Sequence, residues 1–292
     1  MKPSSLSCAL LSVLVSTHAA GNEMPPAWPR PIEPFRIAGD TWYVGSEGIT
    51  VLLIRGDAGA VIIDAGVPGA LPALQRSLGR LDVAPGEIKL ILTSHAHYDH
   101  VGALAALQEW TGARVLASAD SAALLAAGGR GDLHFGDELT FPPVRVDDTL
   151  ADGEEVRLGT LRLQLHLTPG HTPGSSTWAW TEHDGPRAID MVYADSLTAP
   201  GYRLLDHPRL PGLVDTYRAS FARLRSLPCD LLITPHPEAS GLFERVGPGR
   251  GEDDAPQGID CAGYADRAER NLDEQIQAQR RAAADSSGNA NS

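Results

Sequence analysis

Four side chains that can bind a metal ion fall within six positions: His95, His97, Asp99 and His100, in the stretch Thr93-Ser94-His95-Ala96-His97-Tyr98-Asp99-His100. Neutral imidazole and carboxylate are ligands that zinc favours, and no cysteine is offered here. In an extended loop His95 and His97 alternate and can face one ion. Asp99 and His100 come half a turn later and can face a second. Two more histidines stand in stiff surroundings, His171 between the pairs Pro169-Gly170 and Pro173-Gly174, and His236 between Pro235 and Pro237. Six such ligands suit two zinc ions with a water or hydroxide bridging them. A histidine met singly is more often a surface or network residue, and His18, His134, His166, His183 and His207 take that reading. The competing use of the cluster is non-catalytic zinc storage, but a store has no need of rigid loops around two metals.

The positions of these residues follow from the elements before them. The apolar, β-branched run Ile88–Leu92 reads as a buried strand ending at the cluster, and Val101–Gln108 reads as a helix leaving it. Strands are likewise predicted at Leu161–Leu167 before His171, at Met191–Ala194 before Asp195-Ser196, and at Leu231–Thr234 before His236. Loops at strand ends are where a sheet scaffold collects its functional groups. Earlier, Thr41–Val44, Ile49–Ile54 and Ala60–Asp64 read as antiparallel strands joined by Gly-rich turns. Asp64 at the end of the third either braces the metal loop or starts a turn. Helices are predicted at Gly69–Leu81, Ser118–Ala127, Leu213–Ser226 and Tyr264–Arg280, with strands at Ala113–Ala117, Glu155–Leu158 and Thr177–Trp180. The order is β then α/β, followed again by β then α/β. Two such halves facing one another make a four-layer αββα sandwich.

Composition bounds the rest. The 292 residues show no internal repeat and no linker through the middle, which predicts a single domain over 21–280. Residues 1–20 have a lysine, an apolar stretch Leu6–Val15 and small residues at Ala19-Ala20, the layout of a secretory signal peptide too short to span a membrane. Its removal would take Cys8 and leave Cys229 and Cys261, an even pair that in an exported chain reads either as one disulfide or as two separate thiols. Residues 21–36 read as an extended, proline-rich lead-in, 247–258 as a flexible insertion and 281–292 as a polar, disordered tail. The formal charge of −13 argues against nucleic acid and against an anionic membrane surface. A monomer free of the membrane after cleavage is expected.

The pattern His95-x-His97-x-Asp99-His100, with Thr168-Pro169-Gly170-His171 and His236, resembles the metallo-β-lactamase superfamily over residues 36–275. The resemblance implies the αββα fold, with one zinc on His95, His97 and His171 and another on Asp99, His100 and His236. The segment Tyr193–Tyr202 resembles the third subclass of the true β-lactamases, in which a serine replaces the second-site cysteine. Consecutive strand residues face opposite ways, so either Asp195 or Ser196 points inward, and the surrounding residues favour Ser196. Leu133–Asp137, Leu227–Asp230 and the pair Cys229/Cys261, which the subclass joins, add to the likeness.

What this implies is a periplasmic, zinc-dependent enzyme in which a metal-bound hydroxide opens the β-lactam amide of penicillins, cephalosporins or carbapenems, giving antibiotic resistance. Asp99 would orient the hydroxide and Tyr202 would donate to the oxyanion. Ser196 and Thr198 would hold the bound water and the substrate carboxylate. For these hydroxyls ordinary turn chemistry is the alternative. The superfamily also holds thioester and lactone hydrolases, which form the second reading of the same site.

Overall fold

The computed structural model describes residues 24–247 and 258–289. The predicted signal peptide and most of the 247–258 insertion lie outside the described residues. The chain opens with β1 (Phe35–Ala38), β2 (Thr41–Tyr43), β3 (Leu52–Gly56) and β4 (Gly59–Ile63), paired antiparallel in sequence order. After α1 (Leu71–Arg80) the sheet continues in parallel through β5 (Ile88–Leu92), β6 (Arg114–Ser118) and β7 (Asp148–Leu150). Between them run α2 (Tyr98–Val101), α3 (Leu104–Thr111) and α4 (Ala119–Ala127). A second sheet of five strands has the order β12 (Leu231–Ile233), β11 (Arg187–Tyr193), β10 (Ser176–Asp184), β9 (Leu161–Leu167) and β8 (Glu155–Leu158). The chain then adds α5 (Leu213–Arg225), the short α6 (Pro237–Ser240) and α7 (Leu242–Val246), and the long α8 (Cys261–Asn289).

Period-2 alternation in the central strands builds three apolar layers at once, because each strand is covered on both faces. Leu52 and Ile54, Val61 and Ile63, and Leu90 and Leu92 point into the core between the sheets, where they meet Leu163, Leu165, Trp178, Met191 and Tyr193. The residues between them, Leu53, Ile62 and Ile91, face the other way and pack on Leu74, Leu78, Leu104, Leu107 and Leu125 of α1, α3 and α4. On the far side, Val192 and Leu232 meet Tyr217 and Phe221 of α5 and Tyr264, Ala268 and Leu272 of α8. The result is helix, sheet, sheet, helix: the αββα sandwich.

Three features differ from the sequence reading. The helix expected over Val101–Gln108 is two pieces, α2 and α3, that break at Gly102. There a Cβ would lie 2.3 Å from both the Tyr98 carbonyl and Pro68, so the chain turns where only glycine fits. The strand β7 at the sheet edge, Asp-Thr-Leu, is too short to show a period. The tail predicted to be disordered over 281–292 continues α8 as far as Asn289. The Ala282–Ala284 run has the highest intrinsic helix propensity and extends a helix already nucleated by packing, which costs far less than starting one.

Cys229 and Cys261 are joined in a disulfide across 32 positions, linking the approach to β12 with the start of α8. Among the described residues no helix is long and apolar enough to cross a membrane.

Candidate metal centre

The loop after β5 is held from several sides before any ligand is considered. Asp64, at positive φ (66°) just past β4, is fully buried. Its carboxylate accepts from the Ser94 amide and hydroxyl at 2.7 Å each and from the Tyr193 hydroxyl at 2.6 Å. Burial pushes this carboxyl up to about 6, against the pull of His100, Tyr193 and Ser94. Of its two readings from sequence, bracing the metal loop is what the structure shows. From the second sheet, Trp178 Nε1 donates to the Thr93 carbonyl at 2.9 Å and the Ser176 amide to the Ser94 carbonyl at 2.8 Å. The loop therefore bridges both sheets.

His95, His97 and His171 present donor atoms within 4.8 Å of one another, as do His95, Asp99 and His100, and all five side chains are buried. His97 Nδ1 and His171 Nε2 stand 3.2 Å apart. Tetrahedral zinc with Zn–N bonds near 2.0–2.1 Å separates neighbouring nitrogens by roughly 3.3 Å. His95 Nε2 is buried with no hydrogen-bond partner among the described residues. In the second cluster Asp99 Oδ2 lies 3.1 Å from His100 Nε2 and 3.4 Å from His236 Nε2. The donor set and spacing thus fit metal ions, and zinc suits its nitrogen and carboxylate chemistry.

Each imidazole is oriented by a second contact on the ring nitrogen that faces away from the cluster, the usual way a protein fixes a metal-binding tautomer. His95 Nδ1 donates to Asp195 Oδ1 at 2.8 Å, and His171 Nδ1 to the Thr198 carbonyl at 2.8 Å. His236 Nδ1 donates to the Gly48 carbonyl at 3.1 Å. His97 Nε2 lies 3.4 Å from Asp132 Oδ2. Burial, reinforced by neighbouring imidazoles, holds His95 and His171 well below their usual range, so both stay neutral and able to ligate. Asp99 is held well below the usual carboxylate range: burial opposes its charge, but His100 and His236 outweigh it. His100 is pushed up to about 9, because Asp99, Asp64 and Asp195 together overcome its burial. The field at that point favours a positive charge, which a metal ion would supply.

Asp195 touches the outer side of the His95 ring and not the clustered nitrogens themselves. β11 stops at Tyr193, so residues 195 and 196 lie past the strand and alternation no longer governs them. Ser196 is buried and makes no side-chain hydrogen bond among the described residues, nor does it line the cleft over the site. Tyr202, expected from sequence as an oxyanion donor, is buried beside His171. Its hydroxyl donates to the His171 carbonyl at 3.0 Å and its ring stacks on His134 with centroids 3.4 Å apart. Burial pushes its phenol far up, so it stays a neutral donor that positions the His171 loop. Thr198 is exposed and lines the cleft, while its carbonyl also accepts from the Tyr217 hydroxyl at 2.8 Å.

The cleft measures about 410 Å³ and is walled by Pro25, Trp28, Tyr98, Phe135, Leu139 and Pro200 around His97, Asp99, His171 and His236. Sequence reasoning missed Trp28, whose ring lies 5.2 Å from that of His236, because the proline-rich lead-in carries no periodic signal. It also missed Asp132, which borders the Leu133–Asp137 stretch but is 35 positions from His97 in the chain. Nothing local marks that distance as a contact.

The sequence model of the metallo-β-lactamase superfamily matches residues 44–236. Among solved structures, a metallo-β-lactamase with a HARLDQ motif from Cronobacter sakazakii is 39% identical, with a TM-score of 0.81 over 87% of this chain and 98% of that one. BJP-1 of Bradyrhizobium japonicum, described as a subclass B3 metallo-β-lactamase, is 33% identical, with a TM-score of 0.82 over 88% of this chain and 98% of its own. Curated relatives include a hydroxyacylglutathione hydrolase of Anaeromyxobacter dehalogenans, 37% identical over 47% of this chain and 43% of that protein. An acyl-coenzyme A thioesterase of Gallus gallus is 30% identical over 54% and 62%. The chain spans about half the length of the curated relatives it matches.

Proposed function

We propose that this chain, which belongs to the metallo-β-lactamase superfamily of hydrolases, opens the amide bond of β-lactam antibiotics at a centre of two zinc ions. One observation carries the reading. Solved neighbours named as metallo-β-lactamases align with 87–88% of the chain at 33–39% identity and TM-scores of 0.81–0.82. His95, His97 and His171 would hold one ion, and Asp99, His100 and His236 the other. Zinc, when bound, supplies Lewis acidity and lowers the pKa of water toward neutrality.

The chain's own residues do the remainder. Asp99, kept ionised, would accept a hydrogen bond from the attacking water and so orient it toward the lactam carbonyl. Thr198, at the cleft surface, is the hydroxyl placed to bind the substrate carboxylate. Trp28, Tyr98 and Phe135 cover apolar parts of the substrate and exclude water, which strengthens every polar contact beneath. Tyr202 and Asp195 keep His171 and His95 in place. Export to the periplasm belongs to the same reading, and a disulfide supports it because such bonds persist in oxidising compartments.

The test is hydrolysis of nitrocefin beside a panel of glutathione and coenzyme A thioesters and lactones. Lactam turnover that is lost in excess EDTA and restored by zinc is expected. Thioester or lactone turnover without lactam turnover would replace the proposed substrate, and lactam turnover unaffected by EDTA would remove the metal.

A further inference from the structure

We propose that Asp132 is the positioning residue for His97, fixing which of its two ring nitrogens is offered to a metal ion. Asp132 is 5% exposed, and its Oδ2 lies 3.4 Å from His97 Nε2. Both atoms are buried and neither makes a hydrogen bond among the described residues, so each has the other as its facing polar group at ion-pair distance. The other carboxylate oxygen is already committed: Oδ1 accepts from the amides of His134 at 2.8 Å and Phe135 at 2.7 Å. Those two bonds leave Oδ2 aimed at the imidazole. The loop that carries it is fastened from outside, because Arg209 Nη2 donates to the carbonyls of Asp132 at 2.9 Å and Leu133 at 3.0 Å. Phe135, from the same loop, meets the His97 ring edge-on at 5.3 Å.

The chemical consequence lies in the tautomer. His97 is unlike its neighbours, since its Nδ1 points at His171 Nε2 while Nε2 points away. A carboxylate on the outer nitrogen keeps the hydrogen on Nε2, leaves the lone pair on Nδ1 and makes the ring a more basic ligand. His95 obtains the same help from Asp195, and His171 from the Thr198 carbonyl. Asp132 completes the set for the third histidine. The inference rests on the metal-holding part of the proposed function and not on the lactam substrate.

Asp132→Asn is the discriminating change. Asparagine retains an oxygen for the His134 and Phe135 amides but places an NH2, which cannot accept, opposite His97. In the full-length chain, zinc affinity measured by competition with a chromophoric chelator is expected to fall 10–100-fold for one of the two ions. The ligand-field spectrum of the cobalt-substituted protein should change with it. Wild-type zinc affinity and an unaltered cobalt spectrum in a folded Asp132→Asn protein would overturn the proposal. Should that variant not fold, nitrogen-15 NMR of the zinc-loaded wild-type histidines decides instead. A proton on His97 Nε2 supports the assignment, and one on Nδ1 overturns it. None of these readings uses an antibiotic. A wild-type chain that binds zinc yet leaves nitrocefin intact would therefore defeat the proposed reaction and leave this inference standing.

Discussion

At the scale of single residues, the centre depends on groups that touch no substrate. Each histidine has one nitrogen on the cluster and the other near a carboxylate or carbonyl: Asp195, Asp132, the Thr198 carbonyl, the Gly48 carbonyl, or Asp64 at 3.8 Å for His100. Asp195→Ala would leave His95 Nδ1 buried and unpaired, and zinc affinity should drop about 10–100-fold. Ser196→Ala should stay within about twofold, because its hydroxyl holds nothing among the described residues. Chelator competition on both variants distinguishes them; the reverse ranking would place Ser196 at the centre. His236 stands apart, its side chain 24% exposed and its nitrogen 3.4 Å from Asp99. His236→Ala is expected to reduce bound zinc from two ions to one by metal analysis. Two tightly held ions in that variant would contradict the second ligand set.

At the scale of elements, each ligand loop is tied to a neighbouring sheet or helix. The His171 loop follows β9, where Gly170 has φ +144° and the place of its missing Cβ is 2.7 Å from the Tyr217 ring of α5. Tyr217 is fully buried, and its hydroxyl holds the same Thr198 carbonyl that orients His171. An alanine at 170 must therefore move either the loop or the ring. Gly170→Ala is expected to cost about 2–3 kcal/mol, which for a domain of this size lowers the melting temperature by roughly 5–10 °C. Zinc affinity should fall with it. Calorimetry with and without zinc checks the pair, and an unchanged melting temperature would show that the loop has slack the geometry denies it.

At the scale of the whole molecule, the two halves meet over an apolar core but share the metal site at one end. The candidate ligands follow β5 of the first sheet and β9 and β12 of the second, so the centre depends on how the two sheets pack. The Cys229–Cys261 link spans 32 positions and ties α8 to the second sheet beneath α5. Loop-closure entropy for that span is worth roughly 3–4 kcal/mol. Cys229→Ser with Cys261→Ser should lower the urea midpoint accordingly without changing the number of zinc ions bound. The bond lies in the outer layer with α8 rather than in the ligand shell. Loss of zinc in a folded double variant would place the disulfide in the site's support.

How much of this could be read from the chain alone follows from where each kind of information resides. The apolar runs at Ile88–Leu92 and Leu231–Thr234 marked strands covered on both faces, and the alternating run Leu161–Leu167 a strand covered mainly on one. The His95–His100 spacing and the proline frames of His171 and His236 marked side chains that the fold brings together, because those patterns are local. The pairing of Asp132 with His97 and of Asp195 with His95, the place of Trp28, and the hydrogen bond from Tyr202 to the His171 carbonyl came only with the tertiary structure. A carboxylate 35 or 100 positions from its imidazole leaves no trace in composition or period, and its meaning exists only once two sheets have brought the ring and the oxygen within hydrogen-bonding reach.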